Sequence, residues 1–153
     1  MANTYTQIYI QIIFTVGNRQ NLIPRSRNDE LQKYITGIVK KRNHKMLAIN
    51  NEPDHFHIFI GLDPQMSISN LVKDIKAISS KFINKRKWIV GKFAWQAGFG
   101  AFSYSRSQID RVIKYIQNQQ KHHKIKTFRE EYVGLLNKFE IEYNEQYLFN
   151  WID

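Results

Sequence analysis

The sequence predicts one α+β domain built on a four-stranded antiparallel sheet with helices on one face. Apolar residues follow a strand period and a helical period in the order strand, helix, strand, strand, helix, strand, and two further helices come after. A tight connection at residues 51–53 joins the second and third strands, so we expect these two to be antiparallel neighbours. Two β-α-β units joined in this way form the ferredoxin-like (RRM-like) arrangement, and we expect residues 1–153 to form a single domain.

The first half of the chain supplies three strands and one helix. Residues 5–16 alternate apolar and polar side chains, which predicts a half-buried strand. Ser26 and Asp29 have the spacing of a capping box, and apolar residues at helical spacing follow them. Residues 44–50 predict a second strand. Residues 54–62 predict a third, because they are rich in β-branched and aromatic residues between a proline and a glycine.

Helical spacing returns at Ser67, and the helix that it predicts leads into a fourth strand. Residues 93–105 predict that strand, with an irregular interruption at the glycines. Gly98 and Gly100 lack the lysine and the spacing of a phosphate-binding loop. We therefore expect no nucleotide cofactor.

Two further helices are predicted after the fourth strand. Ser107 and Asp110 form a second capping box, which predicts a helix over residues 108–123. A third capping box begins at Thr127 and predicts the last helix. Residues 129–153 hold six acidic and only two basic side chains, so the chain ends in an acidic segment.

Charge and composition narrow the class of function. The net charge of +10 indicates a polyanionic partner, most simply nucleic acid. Seven basic residues and one acidic residue lie between Lys73 and Lys92, with Trp88 among them, which suits either a nucleic-acid surface or a solvated helix face. The absence of cysteine excludes disulfides and thiolate metal sites. We see no signal peptide and no membrane-spanning stretch, and we expect a soluble cytoplasmic protein.

The third predicted strand carries two histidines. Side chains alternate along a strand, so His55 and His57 share one face while the apolar residues of the strand share the other. Paired imidazoles on a rigid element are a plausible half of a metal site. The alternative is a pair of half-exposed strand residues without a special role.

A helical tyrosine and glutamine would complete such a site. Tyr115 and Gln119 are four residues apart, so they stack on one side of the predicted helix. Two imidazoles and the amide oxygen of Gln119 would give a divalent cation three neutral ligands, and the phenol of Tyr115 would attack a phosphodiester. The alternative is a packing tyrosine with a hydrated hydroxyl. We expect no carboxylate in this site, since Asp54 should point to the opposite face.

Five segments carry a resemblance to a known family: Glu52–His57, Lys76–Ser80, Trp95–Gln96, Gly98–Ser103 and Tyr115–His123. In this order they resemble the TnpA-type transposases of the smallest bacterial insertion sequences. These are IS200-like, single-tyrosine members of the HUH endonuclease superfamily. The resemblance runs across nearly the whole chain.

The resemblance implies a mechanism and an assembly. The family has a ferredoxin-like core and works as an intertwined homodimer with shared active sites. Its members cut single-stranded DNA beside hairpins at the element ends, and they form a 5′-phosphotyrosine and a free 3′-hydroxyl with the help of Mg²⁺ or Mn²⁺. Our own hypothesis is that the loop over residues 98–107 is a hinge that lets the tyrosine helix swap between subunits.

Carried over residue by residue, the resemblance assigns the nucleophile and the metal ligands. Tyr115 would be the nucleophile, and His55, His57 and Gln119 would be the metal ligands. The resemblance does not specify which basic residues contact DNA, so we select these from the sequence. The residues that we select for this role are Lys73, Lys76, Lys85 and Arg86.

Three alternatives remain open. The first is a related nuclease in a domesticated role, which would act on genomic palindromes. The second is a non-catalytic module that binds single-stranded nucleic acid. A metal-dependent hydrolase that uses water is the weakest, because we expect no carboxylate in the site to act as a base.

Overall fold

A four-stranded antiparallel sheet forms the centre of the protein. The computed structural model describes residues 3–17, 22–122, 126–145 and 148. The strands run in the order β2-β3-β1-β4, which is the ferredoxin-like order that the sequence predicts. Their bounds are β1 Tyr9–Thr15, β2 Lys45–Glu52, β3 His55–Gly61 and β4 Gly100–Tyr104.

Helices cover both faces of this sheet. Their bounds are α1 Asn28–Lys41, α2 Ile68–Arg86, α3 Ile109–Gln117, α4 Gln119–His122 and α5 Phe128–Lys138. The apolar sides of α1 and α2 pack on one face in the main hydrophobic core. Smaller clusters join α3 and α5 to the other face. The sequence left that second face open to a ligand or to the last helices, and the last helices occupy it.

The register of β1 and β3 decides which side chains share the second face. Ile13 pairs with His57, and Thr15 pairs with His55. The odd-numbered residues of both strands therefore lie on the same side of the sheet, and β1 brings Gln11 to the side that carries the histidines.

Two of the three predicted capping boxes are wrong. Helix α1 follows a 3-10 turn at Arg25–Arg27 and has no side-chain cap from Arg27, so the Ser26–Asp29 box does not form. The box predicted for Ser107 and Asp110 is made instead by Ser105 and Gln108, ahead of a 3-10 turn at Arg106–Gln108.

The third predicted cap has its backbone bond. The Thr127 side chain accepts a hydrogen bond from the backbone N–H of Glu130 at 3.1 Å, and this contact begins α5.

The predicted helix over residues 108–123 is broken. Helix α3 ends at Gln117, and α4 starts again at Gln119. The Nδ2 atom of Asn50 donates to the carbonyl of Ile116 at 2.9 Å, which satisfies a carbonyl that loses its helical partner at the break. Residue 123 and most of the acidic segment beyond residue 145 lie outside the described residues.

The fourth strand is shorter than predicted. Only Gly100–Tyr104 joins the sheet, while Trp95 makes an isolated bridge to Val16. The first part of the predicted strand is held by helix α2 instead. Asn84 exchanges two hydrogen bonds with the backbone of Phe93, at 2.7 and 3.0 Å. Residues 98–107 are not a continuous loop, because β4 lies inside that range and pairs with β1, and the hinge role of this segment stays a prediction.

None of the helices in the described part of the chain is both long and apolar enough to cross a bilayer.

Candidate active site

Strand β3 presents both histidines to the sheet face that α3 and α5 cover. His55 and His57 are fully buried, and their ring centroids lie 5.3 Å apart. The Nδ1 atom of His55 lies 2.7 Å from an oxygen of Asp54. The prediction that Asp54 points to the opposite face was wrong, because Asp54 lies in the turn before β3, where strand alternation does not apply. Burial lowers the pKa of His55, which favours the neutral imidazole that metals bind.

Helix α5 adds a carboxylate that the sequence analysis missed. Phe128 at its start stacks on His55 with ring centroids 4.1 Å apart, and one turn later the buried Glu131 reaches the site. The Nε2 atom of His57 lies 3.1 Å from Oε1 of Glu131. The expectation that the site holds no carboxylate was therefore wrong.

A signal for Glu131 was present in the sequence. Residues 128, 131, 132, 135 and 136 follow the spacing of the buried stripe of an amphipathic helix, and Glu131 is the only charged member. A carboxylate in such a stripe is seldom buried without a partner.

The predicted tyrosine and glutamine also reach the site. Val112 and Ile116 of α3 pack against Phe59 and the neighbouring strand, which directs Tyr115 towards the histidines. The ring centroids of Tyr115 and His57 lie 6.3 Å apart. The hydroxyl of Tyr115 donates a hydrogen bond to Oε2 of Glu131. The buried Gln119 donates from Nε2 to the same oxygen at 3.2 Å.

The environment of Tyr115 keeps its phenol protonated. Burial is the largest cause of a raised pKa, and the negative charge of Glu131 adds to it. A phenolate therefore needs a cation or another change of charge beside it before it becomes favourable.

A hydrogen-bonded chain supports His57 from behind. The Nε2 atom of Gln11 lies 3.1 Å from Nδ1 of His57, and Oε1 of Gln11 accepts from the hydroxyl of Tyr104 at 2.8 Å. Gln11 is buried. Strand alternation places it on the histidine face, but only the register of β1 against β3 brings it beside His57.

The donor set fits a divalent cation. One ligand atom each from His55, His57 and Glu131 lies within 4.8 Å of the others, and all three residues are buried. Two imidazoles and a carboxylate bind first-row divalent ions, whereas Mg²⁺ prefers oxygen ligands alone. The amide of Gln119 touches Glu131, so it is a fourth group within reach of the same position.

The four predicted DNA-binding residues differ in exposure. Lys73, Lys85 and Arg86 are exposed on α2. Lys76 is half-buried, and its Nζ atom donates to the carbonyls of Gln96 at 2.8 Å and Gly98 at 2.6 Å. Burial lowers the pKa of Lys76 to about 8. Its ammonium holds the segment before β4 against α2.

Comparison with known proteins identifies the family. The family model described as "Transposase IS200 like" matches residues 4–119, which is most of the chain and includes every predicted site residue. The chain belongs to the IS200-like transposase family. This result confirms the resemblance found in the sequence.

Individual relatives of this transposase are distant. The ISDra2 transposase TnpA of Deinococcus radiodurans is 21% identical over 118 residues, covering 74% of this chain and 84% of the relative. A crystal structure provisionally assigned to a transposase of Deinococcus radiodurans R1 has a TM-score of 0.59 at 20% identity and covers 78% of this chain and 96% of that one.

A second solved structure covers all of this transposase. It is a REP-associated tyrosine transposase bound to a REP hairpin, with a TM-score of 0.61 at 15% identity, and it covers 100% of this chain and 90% of that one. At these identities the two structures establish a shared fold.

Proposed function

We propose that this transposase cuts and rejoins single-stranded DNA at hairpin-marked element ends through a covalent tyrosine intermediate. The observation that carries the proposal is the convergence of a phenol, two imidazoles and a carboxylate: Glu131 contacts both Tyr115 and His57 in one buried site. A binding module would need none of these groups, which argues against the non-catalytic alternative.

The proposed step is a transesterification. The Oη atom of Tyr115 attacks the scissile phosphorus, so an Oη–P bond forms and the bond from phosphorus to the 3′-oxygen breaks. The phenolic proton is lost, and the departing 3′-oxygen gains a proton, which leaves a 5′-phosphotyrosine and a 3′-hydroxyl. Attack by a 3′-hydroxyl on the phosphotyrosine reverses the step and joins strands without ATP.

The site residues provide for a cation in this reaction. A divalent ion held by His55 and His57, with Glu131 or Gln119 as the next ligand, would polarise the phosphate and stabilise charge on the departing oxygen. Glu131 also holds the Tyr115 hydroxyl in position. Because Mg²⁺ prefers oxygen ligands, we expect Mn²⁺ to support cleavage better than Mg²⁺.

Hairpin DNA is the proposed substrate class. The net charge of +10 favours a polyanion, and the exposed α2 residues Lys73, Lys85 and Arg86 are candidate phosphate contacts. The likeness to a structure described as bound to a REP hairpin supports the same class.

A homodimer is the assembly that the family resemblance implies. The described chain places Tyr115 beside its own His57, so one subunit holds a full set of site residues. A mixture of Tyr115→Phe and His57→Ala proteins distinguishes active sites shared between two subunits from active sites formed within one subunit. Regained cleavage would mean shared sites, whereas the geometry within one chain leads us to expect that the mixture stays inactive.

A nuclease that acts on genomic palindromes is the second candidate. The full-length likeness to a REP-associated transposase favours it. The DNA beside the gene discriminates: element ends on both sides favour transposition, and dispersed palindromes without element ends favour the second role. A third mechanism, hydrolysis by water, needs a carboxylate base, and Glu131 could supply it. That carboxylate already accepts a hydrogen bond from Tyr115, which favours attack by the tyrosine.

The test is a covalent adduct. Single-stranded DNA carrying a flanking hairpin is incubated with the protein and Mn²⁺ or Mg²⁺, and a denaturing gel separates protein-linked DNA. We expect an adduct that is lost in Tyr115→Phe and without metal, and retained in Tyr34→Phe, a tyrosine on α1 away from the site. An adduct that survives Tyr115→Phe would show that another residue is the nucleophile.

A further inference from the structure

A cleft runs between α3 and α5 and opens onto the proposed nucleophile. Its volume is about 290 Å³. One wall is a single face of the α3 region, with Tyr115 at its end. The opposite wall is a single face of α5, with Glu131 at its end. The α3 wall carries Arg111, Val112 and Tyr115, and the α5 wall carries Glu131, Leu135 and Lys138.

The two walls are antiparallel and short. Tyr115 and Glu131 meet at one end. Near the other end, the Nζ atom of Lys138 lies 5.8 Å from the centroid of the Tyr104 ring. Seven residues of helix separate the ends of each wall, which corresponds to roughly 10 Å. That length accommodates one or two nucleotides of an extended single strand.

The charge of the cleft suits a phosphate backbone. Arg111, Lys126 and Lys138 line it and are exposed. Among the described lining residues the one carboxylate is Glu131, which contacts Tyr115 and His57. Arg111 precedes Tyr115 by one helical turn on the same face, and both residues line the cleft. Guanidinium groups match phosphate oxygens in a bidentate geometry.

Gly134 leaves the α5 wall of the cleft without a side chain at that position. It lies in the interior of α5, where glycine is less favourable than alanine. Its φ is not positive, and a Cβ built there would meet no atom within 4 Å. Nothing in the packing requires a glycine at this position, and its lack of a side chain leaves the α5 wall open.

We propose that this cleft binds the unpaired nucleotide that adjoins the scissile phosphate. Arg111 and Lys138 bind its phosphates, Lys126 lies at the α5 approach, and Val112 and Leu135 provide an apolar wall for the sugar and base. The inference rests on the proposed function, because it takes Tyr115 as the reacting group.

Equilibrium binding tests the cleft without requiring cleavage. All variants carry Tyr115→Phe, and the probe is fluorescein-labelled oligo(dT) of about eight nucleotides, a length within the range that single-strand-binding domains cover. We expect Arg111→Ala with Lys138→Ala to weaken binding at least tenfold, and the slope of log K against log salt to fall by about one for each cation. Lys33→Ala with Lys40→Ala, two exposed positions on α1, is the matched charge control.

A second variant fills the cleft without removing charge. Gly134→Met places a good helix former where a Cβ meets no neighbour, so we expect weaker oligo(dT) binding and an unchanged or higher melting temperature. Gly37→Met is its control, since Gly37 is also helical and a Cβ there meets nothing within 4 Å. Unchanged binding in both cleft variants would overturn the inference.

The adduct assay separates this inference from the proposed function. Cleft-dependent oligo(dT) binding without any adduct in the wild-type protein would refute the chemistry and leave the cleft as a nucleotide site. An adduct formed equally well by Gly134→Met and by the wild-type protein would keep the chemistry and exclude the cleft.

Discussion

The Nε2 atom of His57 lies 3.1 Å from Oε1 of Glu131, although 74 residues separate the two in the chain. Strand β3 supplies the imidazole and α5 supplies the carboxylate. The second oxygen of that carboxylate accepts a hydrogen bond from the hydroxyl of Tyr115. Glu131 therefore links the candidate metal ligands to the candidate nucleophile, and it is the residue whose removal should disturb both.

Replacing Glu131 should weaken metal binding. Glu131→Gln removes the one negative ligand of the candidate group, so we expect the affinity for Mn²⁺ to fall at least tenfold in titration calorimetry. Glu130→Gln makes the same charge change at an exposed neighbour and should leave the affinity unchanged. Equal affinities for the two variants would exclude Glu131 as a ligand.

Gln11 should act on the metal through His57. Gln11→Leu removes the partner of Nδ1 on His57 and of the Tyr104 hydroxyl, so the imidazole loses its fixed orientation. Removing a group that hydrogen-bonds to a metal-ligating histidine lowers metal affinity or activity about 10–100-fold. Calorimetry with Mn²⁺ measures the effect, and Gln7→Leu, at an exposed position just before β1, is the control. A wild-type affinity in Gln11→Leu would contradict this role.

The cations of α2 should differ in their contribution to DNA binding. If the exposed Lys73, Lys85 and Arg86 contact phosphates, each alanine variant should reduce the steepness of salt dependence. The slope of log K for hairpin binding against log salt should fall in magnitude by about one. Lys76→Ala should lower it less, because the Lys76 ammonium is already bonded to two carbonyls. Slopes equal to that of the wild type for all four variants would favour a solvated helix face.

Lys76 should make stability depend on pH. Its pKa is lowered to about 8 in the fold, against 10.5 ordinarily, so between these values the unfolded state binds more protons and the free energy of unfolding rises with pH. Below pH 8 both states are charged and the cost of burial is fully present. Urea unfolding across this window should show the wild type gaining stability relative to Lys76→Met. Lys73→Met, exposed on the same helix, should show no such trend.

Gly100 should tolerate no side chain. A Cβ at Gly100 would lie 2.5 Å from the hydroxyl oxygen and 2.8 Å from Cε1 of Tyr132. Gly100→Ala should therefore cost about 1–3 kcal/mol in urea unfolding, as overpacked core substitutions do. Gly61→Ala in β3 meets its nearest atom at 3.5 Å and should cost much less. Adding Tyr132→Leu should reduce the stability cost of Gly100→Ala, because the effects of substitutions at two contacting residues do not add.

Much of the candidate site could be predicted from the local periodicity of the sequence. Alternation along β3 separates His55 and His57 from the apolar face, and helical spacing puts Tyr115 and Gln119 on one side. Both patterns depend on backbone geometry that a single element already has. The break at Asn118 was not predicted, because the bond that supports it comes from Asn50 in a distant strand.

The sequence by itself determined the order of strands and helices, the family, the paired histidines, and the basic character of the body. Periodicity, composition and motif order are local properties, so they can be read without coordinates. Only the tertiary structure decided that Gln11 and Glu131 contact His57 in the candidate site and that a cleft lies beside Tyr115. Those facts depend on the register of β1 against β3 and on how α5 docks through Phe128, and both are settled by packing between segments far apart in the chain.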